Sequence, residues 1–167
     1  YNKFIINAIN SSKIDIEQNR YIFKLLNEKH LFDVCRENEL ESIVGIYLRE
    51  NNFDFVLKEW KKASIENEKR MNLYLKEIMI LGEKLNQYNI DIVLLKNAGI
   101  AFGIMDNPAK CPMGDIDFLV RKKDFLKTHE IILNSGFIYK YRNESEREDI
   151  DEALITGGTE YYKIIEN

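Results

Sequence analysis

Two aspartates, Asp115 and Asp117, are the residues best placed to do chemistry, within the run Met113-Gly114-Asp115-Ile116-Asp117-Phe118-Leu119-Val120. Read as a strand, this run sends alternate side chains to one face. The two carboxylates then point the same way, about 7 Å apart at Cα. Oxygen ligands in that arrangement suit a hard cation such as magnesium, which binds through one or two carboxylates together with substrate phosphates. A pair of such metals, roughly 4 Å apart, activates an attacking oxygen and stabilises the leaving one. An isolated Asp-x-Asp is more often a polar strand end or a loop cap. Here Phe118-Leu119-Val120 carries the strand into a core, and two acids at its entrance repel each other and lose hydration, so a cation is their natural partner.

A second element precedes this one. Leu94-Leu95-Lys96-Asn97-Ala98-Gly99 reads as a strand-to-helix turn built from small residues. A helix N-terminus presents free backbone N–H groups and the positive end of a dipole, which makes a phosphate cradle. Lys96 would add a cation and Asn97 a side-chain donor. A solvated lysine and a capping asparagine explain the same residues equally well. Other reactive side chains carry less. His129 falls on an apolar helix face and reads as packing, and His30 has no partner in sequence. Cys35 and Cys111 are far apart, without metal-ligand spacing or a base. Tyr139, Tyr141, Tyr161 and Tyr162 read as strand tyrosines, and Arg121-Lys122-Lys123 as solvated charge.

These residues must be positioned by a helical front and a small α/β unit. Leu40, Ile43, Val44, Tyr47 and Leu48 form one helical stripe, and Met71, Tyr74, Ile78, Leu81 and Leu85 another on a long helix beginning near Phe53. Glu66, Glu68, Lys69 and Arg70 form its solvated face. Near residue 89 the pattern changes. Asn86-Gln87-Tyr88-Asn89 breaks the helix and Ile90 to Leu95 is a short apolar strand. Ala98 to Met105 is a short helix, Asp106 to Gly114 a loop with both prolines, and Ile116 to Val120 a second strand. A helix from about Lys122 ends at Gly136, and Phe137 to Tyr141 is a third strand. Asp149 to Ile155 is helical, Gly157-Gly158 turns, and the last residues form a fourth strand. The expected fold is α+β, a helical region (1–88) packed on a small mixed β-sheet within an α/β core (89–167). The chain starts at Tyr1 rather than methionine and ends just after a strand-like run, so a C-terminally truncated core is expected.

Together these motifs resemble the DNA polymerase β-type nucleotidyltransferase superfamily. The closer resemblance is to a bacterial family of uncharacterised nucleotidyltransferase-like proteins with a leading helical region. Its pattern runs L-L-K-G, a loop, R-P-M-G-D-I-D-L-L-V, and later a helix ending in G-F or G-Y. The matching stretches are Leu94-Leu95-Lys96-Asn97, Cys111-Pro112-Met113-Gly114-Asp115-Ile116-Asp117-Phe118-Leu119-Val120 and Gly136-Phe137. The resemblance covers residues 90 to 138 and implies transfer of a nucleoside monophosphate from an NTP to an acceptor, with release of pyrophosphate. Asp115 and Asp117 would be catalytic and hold Mg2+ or Mn2+, while Lys96, Asn97 and Gly114 would contact the nucleotide. The acceptor is a small molecule, a protein or an RNA. Three positions depart from the pattern. Asn97 replaces a glycine, Cys111 replaces an arginine for which Lys110 could substitute, and the third carboxylate of the superfold has only Glu160 and Glu166 as candidates. A catalytically inactive nucleotide-binding or interaction module is therefore the alternative, with a D-x-D glycosyltransferase behind it.

Composition sets outer bounds. The chain has 167 residues, 45% apolar and 31% charged, as in a globular protein with a sizeable core. Its net charge of −4 offers nucleic acid no general attraction. No apolar run is long enough to span a bilayer, and no small-residue cleavage site follows Tyr1-Asn2-Lys3 as it would in a secretory signal. With no disulfide framework, the cytoplasm is the expected compartment.

Overall fold

A computed structural model of the chain describes residues 24–53, 56–140 and 146–165. Tyr141 and Glu166, which the sequence reading used, lie outside them. Helices dominate the described residues. After helical residues 24–26 come α1 (Lys29–Glu37), α2 (Glu41–Glu50) and α3 (Lys58–Asn86). Then come β1 (Val93–Leu94), α4 (Lys96–Gly103), a 3-10 turn at Pro108–Lys110, β2 (Phe118–Leu119) and a second 3-10 turn at Lys122–Asp124. The chain finishes with α5 (Phe125–Asn134), β3 (Ile138–Tyr139), α6 (Glu146–Thr156) and β4 (Tyr161–Tyr162). The α+β class holds. Its strands pair as two short ladders, β1 with β2 and β3 with β4, and each strand is shorter than the apolar run that announced it. Among the described residues no helix is long and apolar enough to cross a membrane.

The chain divides into two compact units, Tyr1–Leu75 with Leu94–Asp117, and Lys76–Val93 with Phe118–Asn167. The first unit has two cores. One gathers Leu26 and Leu31, Phe32 and Cys35 of α1, Val44, Tyr47 and Leu48 of α2, and Trp60 of α3. Burying each large side chain of this kind is worth roughly 1.5–3 kcal/mol. Trp60 is fully buried, donates its indole N–H to the Leu26 carbonyl at 3.0 Å and meets the Phe32 ring edge-on at 5.0 Å. Helix α2 is buried along Val44 to Leu48, far beyond a single stripe, because α3 passes very close to it. A Cβ on Gly45 would lie 2.3 Å from the Trp60 carbonyl oxygen, so only glycine permits this approach.

The second core of this unit contains Ile46, Met71, Ala98, Ala101, Ala109 and Met113, with Tyr74, Leu94 and Ile116 packed against it. Its small residues let α4 and the proline loop lie close together. Gly99 is one of them, since a Cβ there would sit 2.9 Å from the Leu94 carbonyl oxygen. Buried Asn67 of α3 donates to the Ala109 carbonyl at 2.7 Å, and Asn107 caps the 3-10 turn by accepting from the Ala109 N–H. The loop approaching the aspartates is thereby held by side chains of α3, α2 and its own turn.

In the second unit, Ile138 pairs with Tyr162 and Tyr139 with Tyr161 in an antiparallel ladder. His129 is buried on α5, within 2.8 Å of the Tyr161 hydroxyl and edge-on to Tyr139. This is the packing role its position on an apolar face suggested. Gly136, at φ +83°, ends α5 in a Schellman motif: its N–H bonds the Leu133 carbonyl and the Phe137 N–H bonds that of Ile132. Gly157 and Gly158 both take positive φ, as a tight turn between α6 and β4 requires.

Candidate functional site

An open cleft of about 190 Å³ in the first unit is lined by Leu95, Lys96, Asn97, Ala98, Pro112, Met113, Gly114, Asp115, Asp117 and Glu39. All five residues singled out from the sequence, Lys96, Asn97, Gly114, Asp115 and Asp117, are in this set. Its volume is below the range of pockets that enclose a whole drug-sized ligand.

The way in which the aspartates are held differs from the strand reading. Asp115 lies in a bend and Asp117 in the irregular residue pair before β2, so strand alternation does not orient them. The reason is local. β1 offers only Val93–Leu94 to pair with, and next to it a backbone bond runs from the Leu95 N–H to the Asp117 carbonyl at 2.9 Å. Beyond that bond Gly114 turns the chain, and the Tyr74 hydroxyl of α3 fixes the turn by donating to the Gly114 carbonyl at 2.7 Å. In the sequence Tyr74 falls on the apolar stripe of α3. Nothing in the sequence links it to a glycine forty positions away.

The phosphate-cradle turn has its own geometry. Lys96 opens α4 with φ +49°, a backbone state that costs a non-glycine residue about 1 kcal/mol or more. Its ammonium is 2.6 Å from a carboxylate oxygen of Asp117. The hydrogen bond to Asp117, and then the charges of Asp117 and Asp115, hold the lysine pKa above its ordinary value. The Asn97 side chain donates to the Pro112 carbonyl at 3.3 Å, and the Cys111 thiol faces the Asn97 carbonyl at 3.7 Å. These two contacts tie the cradle turn to the aspartate loop. Partial burial raises the Cys111 pKa, which keeps it a thiol. Lys110 does not supply the missing cation freely, since it pairs with Glu50 at 2.9 Å. Glu160 pairs with Lys140 at 2.6 Å in the second unit.

With this geometry in view, comparison with known families is decisive. The chain matches the model of an uncharacterised nucleotidyltransferase family over residues 25–163. It belongs to that family. The match takes in both the helical front and the cleft, and the function is of nucleotidyltransferase type. No curated protein and no solved structure matches the chain. Glu39, from the turn between α1 and α2, is the cleft residue that sequence reasoning missed.

Proposed function

We propose that the chain is a metal-dependent nucleotidyltransferase that moves a nucleoside monophosphate from an NTP to an acceptor, releasing pyrophosphate. The observation that carries this reading is the convergence of Asp115, Asp117, Lys96 and the N-terminus of α4 on one cleft. The donor set fits a divalent cation. Asp115 is exposed and Asp117 half-buried, and Asp117 already takes a cationic neighbour, the Lys96 ammonium at 2.6 Å. Asp115 and Asp117 would hold Mg2+ or Mn2+, which would offset the charge of the triphosphate and polarise the reacting phosphoryl group.

The chain's own residues do the rest. The free N–H groups at the start of α4 and the Asn97 amide would receive the β- and γ-phosphate oxygens. Lys96 would leave Asp117 and pair with the same oxygens, exchanging one anionic partner for another. Tyr74 keeps the Gly114 turn closed behind the nucleotide. The acceptor is a small molecule, a protein or an RNA, and the net charge of −4 favours the first two over RNA.

One observation favours a second reading, an inactive nucleotide-binding module. Among the described residues no three histidine, cysteine or acidic side chains converge tightly enough to hold one metal ion. Calorimetric titration of the four Mg-NTPs into wild type and Asp117→Asn tests the site. Magnesium-dependent binding that disappears in the variant is expected, and no binding to wild type would refute the proposal.

A further inference from the structure

We infer that Glu39 is the acceptor-side carboxylate of this cleft, a third catalytic acid supplied by the helical front instead of a late strand. The inference rests on the nucleotidyltransferase reading above and assigns a role within that same site. Glu39 lines the cleft together with Asp115, Asp117 and Lys96.

Its backbone makes the residue type informative. Helices α1, α2, α3 and α5 all end in the same hydrogen-bonded pattern, in which one residue must adopt positive φ. That residue is Asn52 after α2 (φ +60°), Asn89 after α3 (φ +57°) and Gly136 after α5 (φ +83°), the types that tolerate this conformation. After α1 it is Glu39, at φ +58°. Four non-glycine residues take positive φ among the described residues, and the two that are not asparagine, Glu39 and Lys96, both line the cleft. Packing does not account for the glutamate, because its side chain is exposed and makes no hydrogen bond or ion pair with another described residue. The turn itself is hydrogen-bonded and anchored. Glu39 N–H bonds the Arg36 carbonyl, Leu40 N–H bonds that of Cys35, and Cys35 and Leu40 belong to the first core. An unfavourable conformation held in place by its surroundings, at the mouth of a reactive cleft, is where function overrides local preference.

Among the described residues no three acidic side chains lie close enough to hold one ion, so the role assigned to Glu39 is on the acceptor and not on the metal. Its carboxylate takes the proton of the acceptor hydroxyl as that oxygen bonds to the α-phosphorus. The bond from that phosphorus to the bridging oxygen breaks, and the electron pair departs with pyrophosphate.

The test compares wild type, Glu39→Gln, Asp117→Asn and the neighbouring control Glu37→Gln. Calorimetry gives the affinity for each Mg-NTP, and pyrophosphate release with water as acceptor gives turnover against pH. Glu39→Gln should bind Mg-NTP within threefold of wild type, lose roughly 100-fold or more in turnover, and lose the acidic limb of the pH profile. Glu37→Gln should match wild type throughout. Unchanged turnover and pH profile in Glu39→Gln overturns the inference, as does loss of nucleotide binding like that of Asp117→Asn. Binding without pyrophosphate release in wild type overturns it too, because a base able to activate a hydroxyl activates water in the same place. Failure of wild type to bind any Mg-NTP instead overturns the reading beneath it.

Discussion

The contact at Gly45 makes a demanding prediction for Gly45→Ala. The added Cβ would stand 2.3 Å from the Trp60 carbonyl oxygen and 3.1 Å from the Ser64 Cβ, where ordinary contact begins at 3.4 Å. Helices α2 and α3 must therefore part by about 1 Å, and the obstructing atom is backbone, which cannot swing aside. Separation loosens Val44, Tyr47 and Leu48 against Trp60, and strains the Arg49 bond to the Ser64 hydroxyl at 3.2 Å. Overpacking of this kind costs about 3 kcal/mol, the upper end of the usual range. For a chain of this size that corresponds to a fall in Tm of about 6–12 °C. Thermal unfolding followed by circular dichroism measures it, with Gly82→Ala as the control. There the new Cβ meets only the Ile92 side chain, at 4.0 Å, so α3 should gain about 0.5–1 kcal/mol. Ile46, next to Gly45, belongs to the core containing Ala98 and Met113, so Gly45→Ala should also weaken Mg-NTP binding. A Gly45→Ala melt within 2 °C of wild type would refute the close helix approach.

Replacing Lys96 with methionine should act in opposite directions on two titrations. Freed of its ion pair, Asp117 should bind Mn2+ alone more tightly, whereas Mg-NTP should bind at least tenfold more weakly; a parallel change in both would contradict the role of Lys96. The same ion pair has a pH signature. The folded lysine pKa is raised, so the contribution is complete below its ordinary 10.5 and fades as pH rises through the folded value. In wild type but not Lys96→Met, then, some stability should be lost at the alkaline end. Tyr74→Phe removes the donor to the Gly114 carbonyl, and should cost about 0.5–1.5 kcal/mol in urea unfolding and raise the Kd for Mg-NTP severalfold. Burial, and then the charge of Glu41, pushes the Cys35 thiol up to about 11. Cys35 should resist iodoacetamide at pH 8 in the native protein and react on unfolding. Since the unfolded thiol loses its proton first, stability should fall between about pH 9 and pH 11, by an amount on the order of 2 kcal/mol.

Much of this was legible in the sequence because it depends on local chemistry. Periodicity marked α2 and α3, Gly136 marked the end of α5, and paired glycines marked the turn before β4. The run Leu94 to Gly99 and the Asp115–Asp117 pair announced two elements that share one cleft. What stayed hidden depends on long-range contact. Strand length was overread at Ile90–Leu95 and Ile116–Val120, because an apolar run shows burial but not how many residues find a partner. The long helix starts at Lys58 instead of Phe53, since Asn52 at positive φ closes α2 and sends Phe53 into the first core. Glu39 carries no signal in the sequence, because the usual sign of a helix stop is glycine or asparagine. Tyr74 looked apolar because its hydroxyl finds a partner only when Gly114 folds back against α3.

Pyrophosphate release from each Mg-NTP, by wild type and by the Asp115→Asn, Asp117→Asn double variant, tests the central claim most directly. Nucleotidyl transfer at this cleft predicts magnesium-dependent release by wild type and a loss of 1,000-fold or more in the variant, about 4 kcal/mol of transition-state stabilisation. Equal release by the two proteins would contradict it, and so would its absence from both.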